Sequence, residues 1–110
     1  MSIIKVDYGE IAGENINLKD FVYKYWSSHS SQESVNLGFE AKKIIFSFIL
    51  YNKQYFRVYD KEDSANTVHT YIDGTDNGET SLSDSGFTIT SNGITIESYP
   101  LTNLQIYAFG

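Results

Sequence analysis

The chain offers few residues that can do acid–base or nucleophilic work. It has no cysteine and two histidines, His29 in the run SSHSSQES and His69 in the run TVHTYID. Nucleophilic catalysis needs a nucleophile, a base within hydrogen-bond reach and a third group that orients the base. Serines surround His29 because the whole run is serine-rich, a composition that marks a loop and not an activated hydroxyl. His69 shares the phase of Tyr71 and is expected beside it on the outward side of a strand. No catalytic residue is assigned, and the chain reads as a non-enzyme. The segment Asp73-Gly-Thr-Asp76-Asn77-Gly78 gathers carboxylate and amide oxygens as calcium loops do. It lacks the EF-hand spacing, and Asp, Asn and Gly are equally what an ordinary turn requires, so a calcium loop and a solvated turn both stay open. No His/Cys cluster suits zinc, and no metal or cofactor is assigned.

Composition narrows the partners. The formal net charge is −6, and the eight Lys and Arg are scattered singly except for Lys42-Lys43. Without a basic stripe to neutralise phosphates, nucleic acid is excluded as a partner. The opening MSIIKVDYGE lacks the basic region and long apolar stretch of a signal peptide. The longest apolar run, Ile44 to Leu50 with Ser47 inside it, is too short for a membrane helix, so no membrane partner is expected. Synthesis in a cytoplasm is the expectation.

The elements that must position any site are read from hydrophobic periodicity. With 41% hydrophobic residues, seven Phe and nine Tyr in 110 residues, the composition favours one domain with pleated, half-buried surfaces. The organising stretch is Ser34 to Asp60. Ile44, Phe46, Phe48 and Leu50 occupy every second position, the pattern of a strand with one apolar face. After Asn52-Lys53-Gln54, taken as the turn, Phe56 and Val58 continue that inward face while Tyr55, Arg57 and Tyr59 point outward. Ile16 to Trp26 fits either an amphipathic helix or a strand, and the β-rich context favours the strand. Ser27 to Ser34 and Gly74 to Asp84 read as polar loops, and Lys61 to Asn66 as a turn. Thr67 to Asp73 alternates, with Val68 and Ile72 inward. Phe87 and Ile89, then Asn92-Gly93, then Ile94 and Ile96 predict a hairpin closed by a type I′ turn. Leu104, Ile106 and Ala108 mark a closing strand. Residues 1–15 read as an extended arm or a first strand. Seven or eight strands on short turns predict an all-β, antiparallel β-sandwich over residues 1–110, with a jelly roll or small barrel as the alternative.

Pairing in sequence order would gather Ile45, Ile49, Tyr51, Tyr55, Arg57, Tyr59, His69 and Tyr71 on one outward face. A face so apolar and aromatic is not idle solvent surface. Three readings stay open: a second layer of the same domain, a subunit interface rich in Tyr and Arg, or a ligand surface whose tyrosines stack on sugar rings. The glycan reading draws on Trp26, Tyr51, Tyr55 and Tyr71.

The run VNLGFEAKKIIF, the later SGFTIT and the closing IYAFG resemble small bacteriophage and prophage tail-associated domains, and IIKVDYGEI is similar to the start of short phage tail proteins. Ala41 stands where that family has a proline. Gly38-Phe39 and Gly86-Phe87 then set turns and core plugs. The resemblance implies a β-sandwich subunit of a tail fibre, baseplate or receptor-binding assembly, working in the virion through protein–protein contacts. It implies a homo-oligomer, a trimer by preference, with other virion proteins as partners and a host cell-surface glycan as a further one. A carbohydrate-binding module and a capsid decoration protein are the alternatives.

Overall fold

The computed structural model describes residues 16–18, 20–97 and 99–110. The expected N-terminal arm, residues 1–15, lies outside the described residues. These fold as an all-β antiparallel sandwich of ten strands: β1 Ile16–Leu18, β2 Phe21–His29, β3 Glu33–Asn36, β4 Lys43–Leu50, β5 Lys53–Asp60, β6 Ser64–Ile72, β7 Thr75–Ser81, β8 Phe87–Thr90, β9 Gly93–Ile96 and β10 Leu101–Phe109. A 3-10 turn at Leu82–Asp84 joins β7 to β8. Seven strands form one sheet in the order β1-β2-β10-β4-β5-β6-β7, and three form a second in the order β3-β9-β8.

The core lies between the sheets. Ile44, Phe46 and Phe48 of β4, Leu104, Ile106 and Ala108 of β10, and Val22 of β2 meet Val35, Phe87, Ile94 and Ile96 of the small sheet. Phe46 and Phe87 stack at 3.8 Å between ring centroids, and Phe48 lies 5.8 Å from Phe87. The two Gly-Phe pairs play the structural parts expected of them. Gly86 holds a φ of +90° as the chain turns to insert Phe87, and Gly38 a φ of +83° before half-buried Phe39. Such positive φ values favour glycine because a Cβ clashes with the backbone there. Ala41 is fully buried.

Several expected boundaries move. The strand reading of Ile16 to Trp26 holds, but as two antiparallel strands, β1 Ile16–Leu18 and β2 from Phe21; β2 runs on to His29 and β3 starts at Glu33, so the serine-rich loop shrinks to residues 30–32. The second expected loop, Gly74 to Asp84, contains β7, a strand with no apolar residue that is held by its ladder to β6. The β8–β9 hairpin pairs Thr90 with Gly93, so its connecting residues are Ser91 and Asn92, and none of Ser91, Asn92 and Gly93 has positive φ. Gly93 is needed instead because a Cβ there would come within 2.3 Å of the Val35 carbonyl oxygen on β3. The turns with two positive φ values, as type I′ demands, are Tyr51-Asn52 (52° and 63°) and Asp73-Gly74 (50° and 82°).

The turn at Tyr51-Asn52 corrects the largest expectation. Leu50 pairs with Lys53, so the loop has two residues and not the three of Asn52-Lys53-Gln54. Opposed residues of an antiparallel pair share a face, and a one-residue change in loop length flips the whole strand. Phe48 pairs with Tyr55, Phe46 with Arg57 and Ile44 with Tyr59, which puts Tyr55, Arg57 and Tyr59 on the core side. Phe56 and Val58 oppose Ser47 and Ile45 and face outward.

Candidate functional site

The outer face of the seven-stranded sheet can be followed strand to strand by its register. One row crosses Tyr23, Tyr107, Ile45, Val58, His69 and Glu79, and the next crosses Tyr25, Gln105, Ser47, Phe56, Tyr71 and Asp76. Among the described residues the second sheet packs on the opposite side, against Ile44, Phe46 and Phe48, and leaves these rows outside. Phe56 is 40% exposed, and Ile45, Ile49, Val58 and Tyr71 are half-buried. Tyr23 is fully buried on this face, its ring 4.9 Å from that of Tyr107. Burial, with smaller contributions from Tyr107 and Tyr25, pushes its phenol up to about 12.

Two adjoining hollows over β5 and β6 share Val58 and Tyr71 and form one trough. The apolar part, about 500 Å³, is completed by Phe56, Gln54 and Gly74. The polar part, about 370 Å³, is lined by Lys43, Asp60, Asp63 and Glu79 among others. His69 closes its side, with Nδ1 against Glu79 Oε2 and Nε2 2.7 Å from Asp76 Oδ1. Hydrogen bonds to Glu79 and then Asp76 hold the imidazole above its ordinary pKa. The Gly78 amide and His69 hold Asp76 low, and the Thr67 hydroxyl and His69 hold Glu79 low.

The structure separates the residues that the sequence grouped. His69 and Tyr71 share the outer face, as expected. Tyr51 sits at the hairpin tip, 79% exposed. Tyr59 is buried in the core. Tyr55 stacks on Phe48 at 5.2 Å, and Trp26 packs against the core with its ring edge-on to His29 at 5.8 Å. The four-residue glycan platform therefore does not assemble, and of its members only Tyr71 lines the trough. Arg57 reaches between the sheets, its guanidinium 5.6 Å and 5.4 Å from the Phe48 and Tyr55 ring centroids, and donates to the Ser85 carbonyl. Burial lowers its pKa. What sequence reasoning missed is Phe56 and Val58, whose outward phase was legible only with the true turn length.

The remaining chemical candidates resolve into structural contacts. His29 is buried, with Nε2 3.4 Å from Glu33 Oε1 and outside hydrogen-bond geometry. Asp73 Oδ1 accepts from the Gln54 amide, while Asp76 Oδ1 accepts from Gly78 and faces His69. The segment expected as a calcium loop or a turn is thus a hairpin turn plus the start of β7. Among the described residues no group of three His, Cys, Asp or Glu side chains is arranged to hold a metal ion, and no helix is long and apolar enough to cross a membrane.

Fold and face together define an antiparallel β-sandwich with an apolar, aromatic outer sheet face. The chain matches no family model, no curated protein and no solved structure.

Proposed function

We propose that the protein is a non-catalytic structural subunit of a bacteriophage or prophage particle, part of a tail fibre, baseplate or other appendage, that assembles through the outer face of its large sheet. The observation that carries assembly is the half-buried row of Tyr107, Ile45 and Val58, with exposed Phe56 and half-buried Tyr71 beside it, on the face that the second sheet leaves free among the described residues. A continuous apolar surface of this kind gains free energy when a partner removes it from water. The virion context rests on the resemblance of VNLGFEAKKIIF, SGFTIT and IYAFG to phage tail-associated domains. On that reading the protein is made in the bacterial cytoplasm and works in the virion, as a homotrimer in contact with other virion proteins.

Sedimentation velocity over a wide concentration range tests this directly. The wild type is expected to self-associate, or to co-sediment with phage particles. Phe56→Asp is expected to stay monomeric with an unchanged far-UV spectrum. A wild type that remains monomeric and never associates with particles overturns the proposal. The trough specifically favours a second reading, a glycan surface, since Phe56 and Tyr71 adjoin the Asp60 and Asp63 carboxylates as sugar faces and hydroxyls require. Binding to a bacterial polysaccharide array that Tyr71→Ala abolishes would support it, and an array without binding would remove it.

A further inference from the structure

We propose that His69, Asp76 and Glu79 form a proton-operated clasp that fastens the edge strand β7 to β6 and fixes one wall of the outer-face trough. Each imidazole nitrogen meets a carboxylate oxygen, Glu79 Oε2 at Nδ1 and Asp76 Oδ1 at Nε2. A neutral imidazole has one N–H and one lone pair, so it can donate to only one of these carboxylates. The imidazolium donates to both, in two charge-assisted hydrogen bonds. The geometry selects the charged ring.

A backbone irregularity builds this arrangement. Asp76 and Glu79 are three residues apart and would point to opposite faces of a regular strand. Tyr71 pairs with Asp76 and His69 with Glu79, so β7 spends one more residue than β6 across this interval. The extra residue is accommodated at Gly78, with a φ of +77° and its amide donating to Asp76 Oδ1 at 2.8 Å. This is a β-bulge with a left-handed glycine, and it brings both carboxylates to the outer face around one ring.

Apart from its backbone ladder to β6, the strand has few side-chain anchors. The sequence TDNGETS carries no apolar side chain, and its inward anchor is the 3.0 Å hydroxyl contact between Thr80 and Thr70. Among the described residues, the other charged or titratable groups around the ring are Lys43 on β4, Asp60 on β5, Asp63 in the β5–β6 turn and Tyr71 on β6. None of these reaches the imidazole nitrogens, which Asp76 and Glu79 occupy. Asp60 Oδ1 is occupied by the Glu62 amide. When the ring loses its proton, a lone pair faces a carboxylate, β7 loosens, and the β6 edge beside Tyr71 becomes accessible.

The sign follows from the directions of the shifts. The imidazole is held above its ordinary value, so its contribution is complete below that value and is lost as pH rises through the folded value. Both carboxylates are held low, so theirs is present above their ordinary values and is lost as pH falls through the folded ones. The clasp is closed in mildly acidic solution and opens toward alkaline pH. Its consequence for association rests on the proposed use of the outer face, whereas the clasp itself is read on the monomer.

NMR of the labelled protein supplies the test. The His69 ring is expected to titrate above about 6.5, the value of a free imidazole. Amide protection over Thr75–Ser81, corrected for intrinsic exchange, is expected to fall about threefold or more through that same transition, the scale of one exposed ion pair. His69→Gln should abolish this response, and Glu79→Gln should lower the His69 titration. A ring that titrates at or below the free value overturns the clasp, as does β7 protection that ignores the titration or persists in His69→Gln. Sedimentation at both ends of the range separates the two claims. A protein that stays monomeric throughout while β7 still responds refutes the assembly reading and leaves the clasp standing.

Discussion

The two faces of β5 divide the six residues from Gln54 to Tyr59 between them and serve opposite ends. Tyr55, Arg57 and Tyr59 turn toward the small sheet, while Gln54, Phe56 and Val58 turn away from it. A solvated sandwich would place the apolar residues inside and the polar-tipped ones outside. Here the inner residues use their bodies for packing and their tips for specific contacts: Tyr55 stacks on Phe48, and Arg57 lies near both rings and donates to Ser85. The outer residues carry apolar surface that nothing among the described residues covers. A strand spends its amphipathic side chains on its own core and its purely apolar ones on its exterior only at a cost in solubility. That inversion is the strongest structural support for a partner on the outer face.

Substitutions on each face can break this contrast, and the largest effect belongs to the inner one. Phe46→Ala removes a fully buried ring stacked on Phe87 and should cost about 3–5 kcal/mol in urea denaturation. Next comes the neighbouring pair on β5. Tyr55→Ala should cost about 2 kcal/mol by losing its stack on Phe48 and its apolar burial, whereas Phe56→Ala should move stability by only about 0.5 kcal/mol and weaken association instead. A reversed order for that pair would mean that β5 pairs one residue out of register. A similarly small effect, of opposite sign and without a change in association, is expected at the turn that sets the register. Tyr51 adopts φ 52° while 79% exposed, so Tyr51→Asn should raise the denaturation midpoint slightly, by about 0.5 kcal/mol in stability.

Alternation was legible in the sequence and parity was not. The inward runs Ile44-Phe46-Phe48, Val68 and Leu104-Ile106-Ala108 are read directly from period two, and they are buried. What joins one run to the next depends on single residues. A β4–β5 loop of three residues in place of two would put Tyr55, Arg57 and Tyr59 on the outer face and Phe56 and Val58 in the core. A bulge at Gly78 likewise brings Asp76 and Glu79 together against a period-two expectation. Nor could hydrophobicity reveal β7, because its stability comes from backbone pairing and side-chain polarity. The Asn92-Gly93 signal correctly marked a hairpin but not its turn type. The demand for glycine there is the approach of Val35, a contact distant in sequence.

The position of β10 has a consequence for how the protein is made. It lies between β2 and β4, pairing with both along most of its length, yet it follows every other described strand in the chain. The meander from β4 to β7 can pair locally while it is being synthesised. Until residues 101–109 leave the ribosome, however, β2 and β4 each present an open edge with nothing between them. Completion of the large sheet is therefore a non-local step that waits for β10, and the open edges of β2 and β4 call for shielding until it arrives.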